Sequence, residues 1–359
     1  MKVQRIGFII VLLLHAGLCC STAGYRVPEQ YPALSSESSV LFVGDMMFEW
    51  AVNDTMSKKG ADYPLQNIQS FLHSFDFVMA NLETPLTNKG FGDSSLDKKY
   101  IFKTTMDTAH LLNKAGIQAV TIANNHMLDY GIGGLTDTLV ALSSYGIVYA
   151  GAGINETTAS QPIFYKLGAM QMVIICYTQI CSRDMVARGN PGVNFFELSK
   201  AIQDIQKYNF ADFIVINLHW GNEYFYYPSS KQIEIAHALI DAGADVIAGH
   251  HPHVYQGIEI YKNKPIIYSL GNFLFGSKHE GINDTIACAL YIAPEGKIAK
   301  IRVYAIKGKF DDQIIQPGVL NADDATHLLH HFLQISKSLD GNFVDRASIN
   351  NNYIEYSFR

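Results

Sequence analysis

The sequence predicts a layered α/β fold, on three observations. Short apolar runs alternate with amphipathic stretches from Val40 onward, the rhythm of β-α-β construction. A glycine follows each of three amphipathic stretches, at Gly116, Gly146 and Gly243, where a helix C-cap is expected. The 359 residues, 48% hydrophobic and 17% charged, supply a substantial core for one large domain or two smaller ones.

The first element is not part of that fold. Residues 1–23 read as a secretory signal: Lys2 and Arg5 precede the apolar run 6–14, and Ser21-Thr22-Ala23 offers a small-residue cleavage site. Even counted to Leu18, the run falls short of the ~20 residues of a spanning helix, so an uncleaved anchor is the second choice. Cys19-Cys20 raise the question of a lipid anchor, although bulky Leu18 stands where lipoprotein signals carry a small residue. Residues 24–39 are polar and carry Pro and Ser, as a linker does. The expected location is therefore secreted, periplasmic or attached to the cell envelope.

Strands are expected at 40–45, 75–83, 119–126, 172–177, 212–220, 244–251 and 265–272, each a short apolar run. Helices are expected at 104–115, where Met106, Ala109, Leu111, Leu112 and Ala115 share one side, and at 134–145 and 231–242. Residues 285–307 alternate around Pro294-Glu295-Gly296 and predict an antiparallel hairpin. A last helix is expected at 321–339, within a helical extension over 311–359 that follows a main domain over 40–310. Without the signal, Cys176, Cys181 and Cys288 remain, an odd number that makes no disulfide framework. A net charge of −6 with no Lys/Arg block argues against nucleic acid as a partner.

The strand ends carry the chemistry. Successive apolar runs end in Asp45, Asn81-Leu82-Glu83, Asn124-Asn125-His126, His219, His250-His251-Pro252-His253 and Asn272. In open α/β sheets ligands bind beyond the carboxyl ends of the strands. Each residue alone has an ordinary explanation, such as a helix cap for Asp45 or a core histidine for His219. Six separate strand ends with the same bias do not. Imidazole, carboxylate and amide oxygen together suit a divalent first-row metal such as Mn, Zn or Fe. Asp45, Glu83, Asn125, His219, His251 and His253 are six candidate ligands, more than one ion needs, which favours two ions sharing a carboxylate. In an extended stretch alternate residues point the same way, so His251 and His253 are expected to face one side and each to serve one ion of a pair, with Pro252 holding the backbone between them.

The series Gly44-Asp45, Asn81-Leu82-Glu83, Asn124-Asn125-His126, Asp129-Tyr130-Gly131, His219-Trp220-Gly221, His251-Pro252-His253 and Ser269-Leu270-Gly271-Asn272 resembles the bacterial capsule-synthesis CapA (poly-γ-glutamate synthesis) family, related to the calcineurin-like metallophosphoesterases. The resemblance runs over 40–307 and implies a four-layer α/β/β/α sandwich of the metallophosphoesterase type. It implies that Asp45 and His253 bind a first ion, that Asn125, His219 and His251 bind a second, and that Glu83 bridges them. It further implies that His126 protonates a leaving group and that Asp129 orients it. Two positions depart from the phosphoesterase pattern: Asp-x-His is here Asp45-Met46-Met47, and the bridging residue is Glu rather than Asp. Lys103, Trp220, Glu223, Gln256 and Asn272 lie close to the motifs in sequence and are the expected substrate contacts.

The function expected from these residues is metal-dependent hydrolysis of a phosphoester or amide-like bond, linked to capsule or poly-γ-glutamate biosynthesis. The substrate would be an anionic polymer or a small phosphorylated or peptidic molecule, and a membrane synthase complex is the expected partner. Two other classes compete: a non-hydrolytic assembly or export factor, and a metal-dependent epimerase in which His126 removes a Cα proton.

Overall fold

The computed structural model describes residues 37–90, 92, 98–277, 284–310 and 315–358. The signal at 1–23 and nearly all of the linker lie outside them. The chain opens with β1 (Ser38–Met47), α1 (Ala51–Lys59), the short helices α2 (Tyr63–Gln66) and α3 (Gln69–Leu72), β2 (Phe77–Leu82), α4 (Thr108–Lys114), β3 (Ala119–Thr121), α5 (Gly131–Ser144) and β4 (Val148–Ala150). It continues with β5 (Ala152–Gly153), α6 (Glu156–Ala159), β6 (Ile163–Leu167), β7 (Met170–Thr178), β8 (Gly192–Val193), α7 (Leu198–Lys207), β9 (Phe213–His219), α8 (Ser230–Asp241) and β10 (Val246–His250). The remainder is β11 (Ile258–Tyr261), β12 (Lys264–Ile267), β13 (Asn272–Phe275), β14 (Thr285–Ile292), β15 (Ile298–Ile306), α9 (Ala322–Lys337), α10 (Gly341–Arg346), β16 (Ser348–Asn350) and β17 (Tyr353–Ser357).

Two large sheets result. The first has nine strands in the order β16-β17-β15-β14-β1-β2-β3-β4, with β13 paired to β1; the second has six, in the order β11-β12-β10-β9-β7-β6. Alternate residues of a strand point to opposite faces, and here both faces are covered. On β1, Val40 and Phe42 join Ile174, Val215 and Ala248 of the second sheet in a core between the sheets. Leu41 and Val43 instead pack with Leu65, Leu72, Leu112 and Leu135 of the helices over the first sheet. On β9, Ile214 and Ile216 pack with Ile205, Ile235 and Leu239 of α7 and α8. This is the four-layer α/β/β/α sandwich, and it explains why the strands are unbroken apolar runs.

The structure corrects the sequence reading in three places. The run 265–272 is two strands, not one: β12 belongs to the second sheet and β13 to the first. Between them the chain crosses from sheet to sheet, with Leu270 N donating to Gly249 O at 3.0 Å and Asp45 N to Gly271 O at 2.8 Å. The crossing fits only because two strand ends are glycine. A Cβ on Gly44 would lie 1.9 Å from Gly271 O, and one on Gly249 1.9 Å from Tyr268 O. The run 119–126 is strand only over Ala119–Thr121, since Asn124 turns away to bond other strand ends. The tail is not helical throughout. It returns as β16 and β17, which extend the first sheet from β15, while Leu329, Phe332 and Ile335 of α9 join the core between the sheets.

The expected hairpin is present as β14 and β15, antiparallel. Among the described residues Cys176, Cys181 and Cys288 are free. No helix among them is long and apolar enough to cross a membrane.

Candidate metal centre

Strand register brings the polar residues together. Asp45 lies opposite Asn81 on β2 and Asn272 on β13, and His250 lies opposite His219 on β9. The two sheets then meet side chain to side chain. His250 Nδ1 donates to Asp45 Oδ1 at 2.9 Å, and Asn81 Nδ2 donates to the same oxygen at 2.9 Å while reaching His219 Nδ1 at 3.3 Å. Asn125 Oδ1 stands 2.9 Å from His219 Nε2. Two ligand atoms at right angles in a shell of radius about 2.1 Å are separated by a similar distance.

Among the described residues, two sets of three ligand atoms lie within 4.8 Å of one another: Glu83 with His251 and His253, and Asp45 with Glu83 and His219. Glu83 is common to both. Its Oε1 and the Nδ1 of His251 are buried and have no hydrogen-bond partner. Unpartnered buried acceptors are rare and costly, so a donor set of carboxylate and imidazole with orphaned atoms fits a divalent cation. These sets group the residues differently from the pairing the motifs imply, Asp45 with His253 and His219 with His251, but His253 Nδ1 also lies 3.6 Å from Asp45 Oδ2. The His219 and His251 rings do lie side by side, 4.8 Å between centroids.

The two histidines of His251-Pro252-His253 do not converge by extended geometry. Both have left-handed backbone, with φ of 97° and 60°, in a bend held by Tyr224 N donating to Pro252 O at 2.7 Å. Left-handed φ is costly for residues with a Cβ and is found where function requires a particular side-chain direction.

Electrostatics follow from burial. Burial, then repulsion by Asp45, Glu223 and Asp129, pushes the Glu83 carboxyl well above the usual range. Burial would raise Asp45 too, but the hydrogen bonds from His250 and Asn81, with His253 nearby, hold it below its ordinary value. Burial, with the neighbouring imidazoles, holds His219 far below the usual range and brings His251 down to about 3. Both imidazoles are therefore unprotonated at neutral pH, the state that ligation requires.

Beside the centre, His126 Nδ1 donates to Asp129 Oδ2 at 2.7 Å, and its ring stacks on Phe102 with centroids 4.2 Å apart. Both His126 and Asp129 are buried.

The five expected substrate contacts fare differently. Trp220 is a core residue: it follows His219 on the strand and so points to the opposite face, where it stacks on Tyr268 and donates to Tyr268 O. Gln256 is fully buried and donates to Phe225 O. Asn272 is buried, with Oδ1 2.9 Å from His253 Nδ1, and so braces a ligand candidate. Lys103 Nζ is engaged by Lys89 O and lies over the Tyr130 ring. Glu223 alone is exposed and within electrostatic reach of Glu83.

Three groups absent from the expected site belong to it. Asn81 bridges Asp45 and His219, and Asn124 Nδ2 donates to Asn81 Oδ1 and Leu82 O. His250 was visible in its histidine run, but nothing in the sequence marks it as the partner of Asp45. Its Nε2 accepts from Asn217 Nδ2 at 3.0 Å, leaving Nδ1–H for the carboxylate. Met47 packs in an apolar cluster with Phe102 and Phe275 and offers the centre no ligand of the carboxylate or imidazole kind. Outer partners of this kind orient the ligands they hold. His250→Ala is therefore expected to weaken divalent-metal binding by about 10–100-fold, as read by chelator competition.

Fold and site together define a class: a four-layer sandwich with a carboxylate–imidazole–amide centre where the strands of its two sheets end. The profile of the bacterial capsule synthesis protein PGA_cap matches residues 39–277, and the chain belongs to that family. The capsule biosynthesis protein CapA of Bacillus anthracis is 32% identical over 307 residues, 82% of this chain and 74% of that protein. The PGA biosynthesis protein CapA of Bacillus subtilis (strain 168) is 33% identical over 264 residues, 72% and 68% of the two chains. Among solved structures, a Thermus thermophilus sulfate thiohydrolase SoxB in complex with glycerol aligns over 89% of this chain and 63% of its own, with a TM-score of 0.43 and 11% identity.

Proposed function

We propose that this chain is a metal-dependent hydrolase of the cell envelope that serves capsule or poly-γ-glutamate biosynthesis. Its target is a phosphoester or amide-like bond in an anionic polymer or a small phosphorylated or peptidic substrate. The observation that supports this reading is the pair of ligand sets sharing Glu83, with an unpartnered Oε1, beside the His126–Asp129 pair. The names of the Bacillus relatives supply the biosynthetic setting. A signal-bearing chain of this kind would work outside the cytoplasm, beside a membrane synthase complex.

Glu83, His251 and His253 would hold one ion, and Asp45, Glu83 and His219, with Asn125, the other. A bound divalent ion supplies Lewis acidity and activates water near neutral pH. The protein's own residues do the rest. His250 and Asn81 fix Asp45. Burial keeps His126 below its ordinary value against the pull of Asp129, so at neutral pH its proton sits on Nδ1 and Nε2 is left to take up a proton and pass it on.

The test is turnover by metal-loaded protein of phosphomonoesters, phosphodiesters and poly-γ-glutamate. His126→Gln is expected to lower kcat by ~10²-fold or more on any substrate turned over. Loss of polymer in a His251→Ala strain, without turnover by the wild-type protein, would replace hydrolysis with an assembly role. Solvent deuterium entering an uncleaved peptide would replace it with epimerisation.

A further inference from the structure

We propose that Lys98 is a positioning residue that holds His126 and Asn125 in one frame through Asp129. Lys98 lies in the connection between β2 and α4, and no spacing or motif marks it. Its Nζ donates to Asp129 Oδ1 at 2.6 Å, and also to the main-chain oxygen of Asn125. Asp129 is 0% exposed and the Lys98 side chain 20%.

The Asp129 carboxylate divides its work. Oδ1 takes Lys98, while Oδ2 accepts from His126 Nδ1 at 2.7 Å and from Phe102 N at 2.9 Å. A buried carboxylate served only by neutral donors is unfavourable, and a paired cation offsets that cost. Geometry matters as much as charge. With Oδ1 clamped, the carboxylate cannot swing about its Cβ–Cγ bond, and Oδ2 stays where the imidazole meets it. The second Lys98 bond secures the residue whose side-chain oxygen faces His219. Phe102, four residues on, presses its ring on His126 and gives its N–H to the same carboxylate. One short segment therefore fixes His126 from two directions. Lys98 acts through Asp129 and Asn125 rather than on reacting atoms, which makes its role positioning rather than catalytic.

Only the kinetic arm of the test rests on the hydrolytic reading. Lys98→Met keeps the apolar stem, Lys98→Ala removes it, and Lys98→Arg restores the charge. The first readout is the slowly exchanging Nδ1 proton of His126 in the full chain, assigned by its loss in His126→Gln. It should persist in the wild type and Lys98→Arg, and vanish or broaden in Lys98→Met and Lys98→Ala. The second is Mn²⁺ affinity by chelator competition, expected to fall about tenfold in Lys98→Met and to recover in Lys98→Arg. Where a substrate is turned over, kcat should fall by ~10²-fold with KM changed little. A Lys98→Met protein that keeps both the proton signal and wild-type Mn²⁺ affinity overturns the proposal. Those two readouts decide it even if no substrate is found, so failure of hydrolysis and failure of this role are read separately. If Lys98→Ala does not fold, the comparison of Lys98→Met with Lys98→Arg decides the matter.

Discussion

Glu83→Gln is expected to abolish divalent-metal binding while raising the melting temperature of the metal-free protein. Glu83 is the residue shared by both ligand sets, so its loss removes a ligand from each. The drop in affinity should exceed the ~100-fold upper range for an outer partner. The gain in stability has a separate origin. Burial comes first, then the charges of Asp45, Glu223 and Asp129; together they push the Glu83 carboxyl well above its usual range. A raised folded value means that Glu83 favours folding when protonated, at low pH, and loses that contribution as pH rises through the folded value. Above that value the metal-free protein carries a carboxylate its surroundings oppose, and below it the fold must hold a proton that the unfolded chain would release, so at neutral pH Glu83 costs stability in either form. An amide of nearly the same shape removes the charge. Relief on the order of 1–3 kcal/mol is expected for an unfavourable buried charge, and each kcal/mol corresponds to roughly 1–2 °C in a chain of this length. Calorimetric melts in EDTA, beside titrations with Mn²⁺ and Zn²⁺, separate the two effects. Wild-type metal affinity in Glu83→Gln would rule out the shared carboxylate as a ligand.

That stability and binding should trade against each other at one residue reflects what the sequence does and does not encode. Strands β1, β2, β7, β9 and β10 were legible because a strand buried on both faces leaves an unbroken apolar run. The same logic hid the crossing between β12 and β13. Tyr268 and Leu270 are as apolar as strand residues, and only the glycines on either side, Gly44 and Gly249, record how closely the chain passes. Period-two alternation explains two failures at the site. Asn81 and Glu83 are two apart and share a face. Trp220 is one residue from His219 and lies with Leu218 among the helix-facing residues. Proximity in sequence therefore misled where register would have helped. The bend at His251 and His253 was not legible, since left-handed backbone at histidine has no compositional sign. Lys98 had no signal at all: it belongs to a connection without periodicity, and its role exists only through the buried carboxylate it meets. The short strands β16 and β17 were missed because β16, at the sheet edge with Ser348, Ile349 and Asn350 exposed, has no apolar pattern, and β17 buries only Ile354 and Tyr356.

Acid should unfold the metal-free protein well before general carboxylate protonation would. His251 falls from an ordinary value of 6.5 to about 3, through burial first and then the charge of His253, with Asp45 opposing. His219 is held far below its ordinary value by burial and by His251, His250 and His253. For a base with a lowered folded value, the unfolded chain takes up the proton first. Stability is therefore complete above about pH 6.5 and is lost as pH falls from there toward the folded value. For His251 the span from 6.5 to about 3, at about 1.4 kcal/mol per pH unit, comes to roughly 5 kcal/mol by pH 3. That rivals the whole stability of many domains, about 5–15 kcal/mol. Glu83 works in the opposite sense, since acid protonates it and relieves its burial, so the loss should be steeper in Glu83→Gln than in wild type. His251→Asn should flatten the profile by deleting one of the two buried-imidazole contributions. A bound ion stabilises the folded state according to its concentration relative to Kd, and protons compete for the same imidazoles. Added Mn²⁺ should therefore raise stability near pH 7 and lose its effect as pH drops. Guanidinium unfolding in EDTA between pH 3 and 7 reads all of these, and an unfolding free energy that stays level from pH 6.5 to 4 would contradict the buried, uncharged imidazoles on which the centre depends.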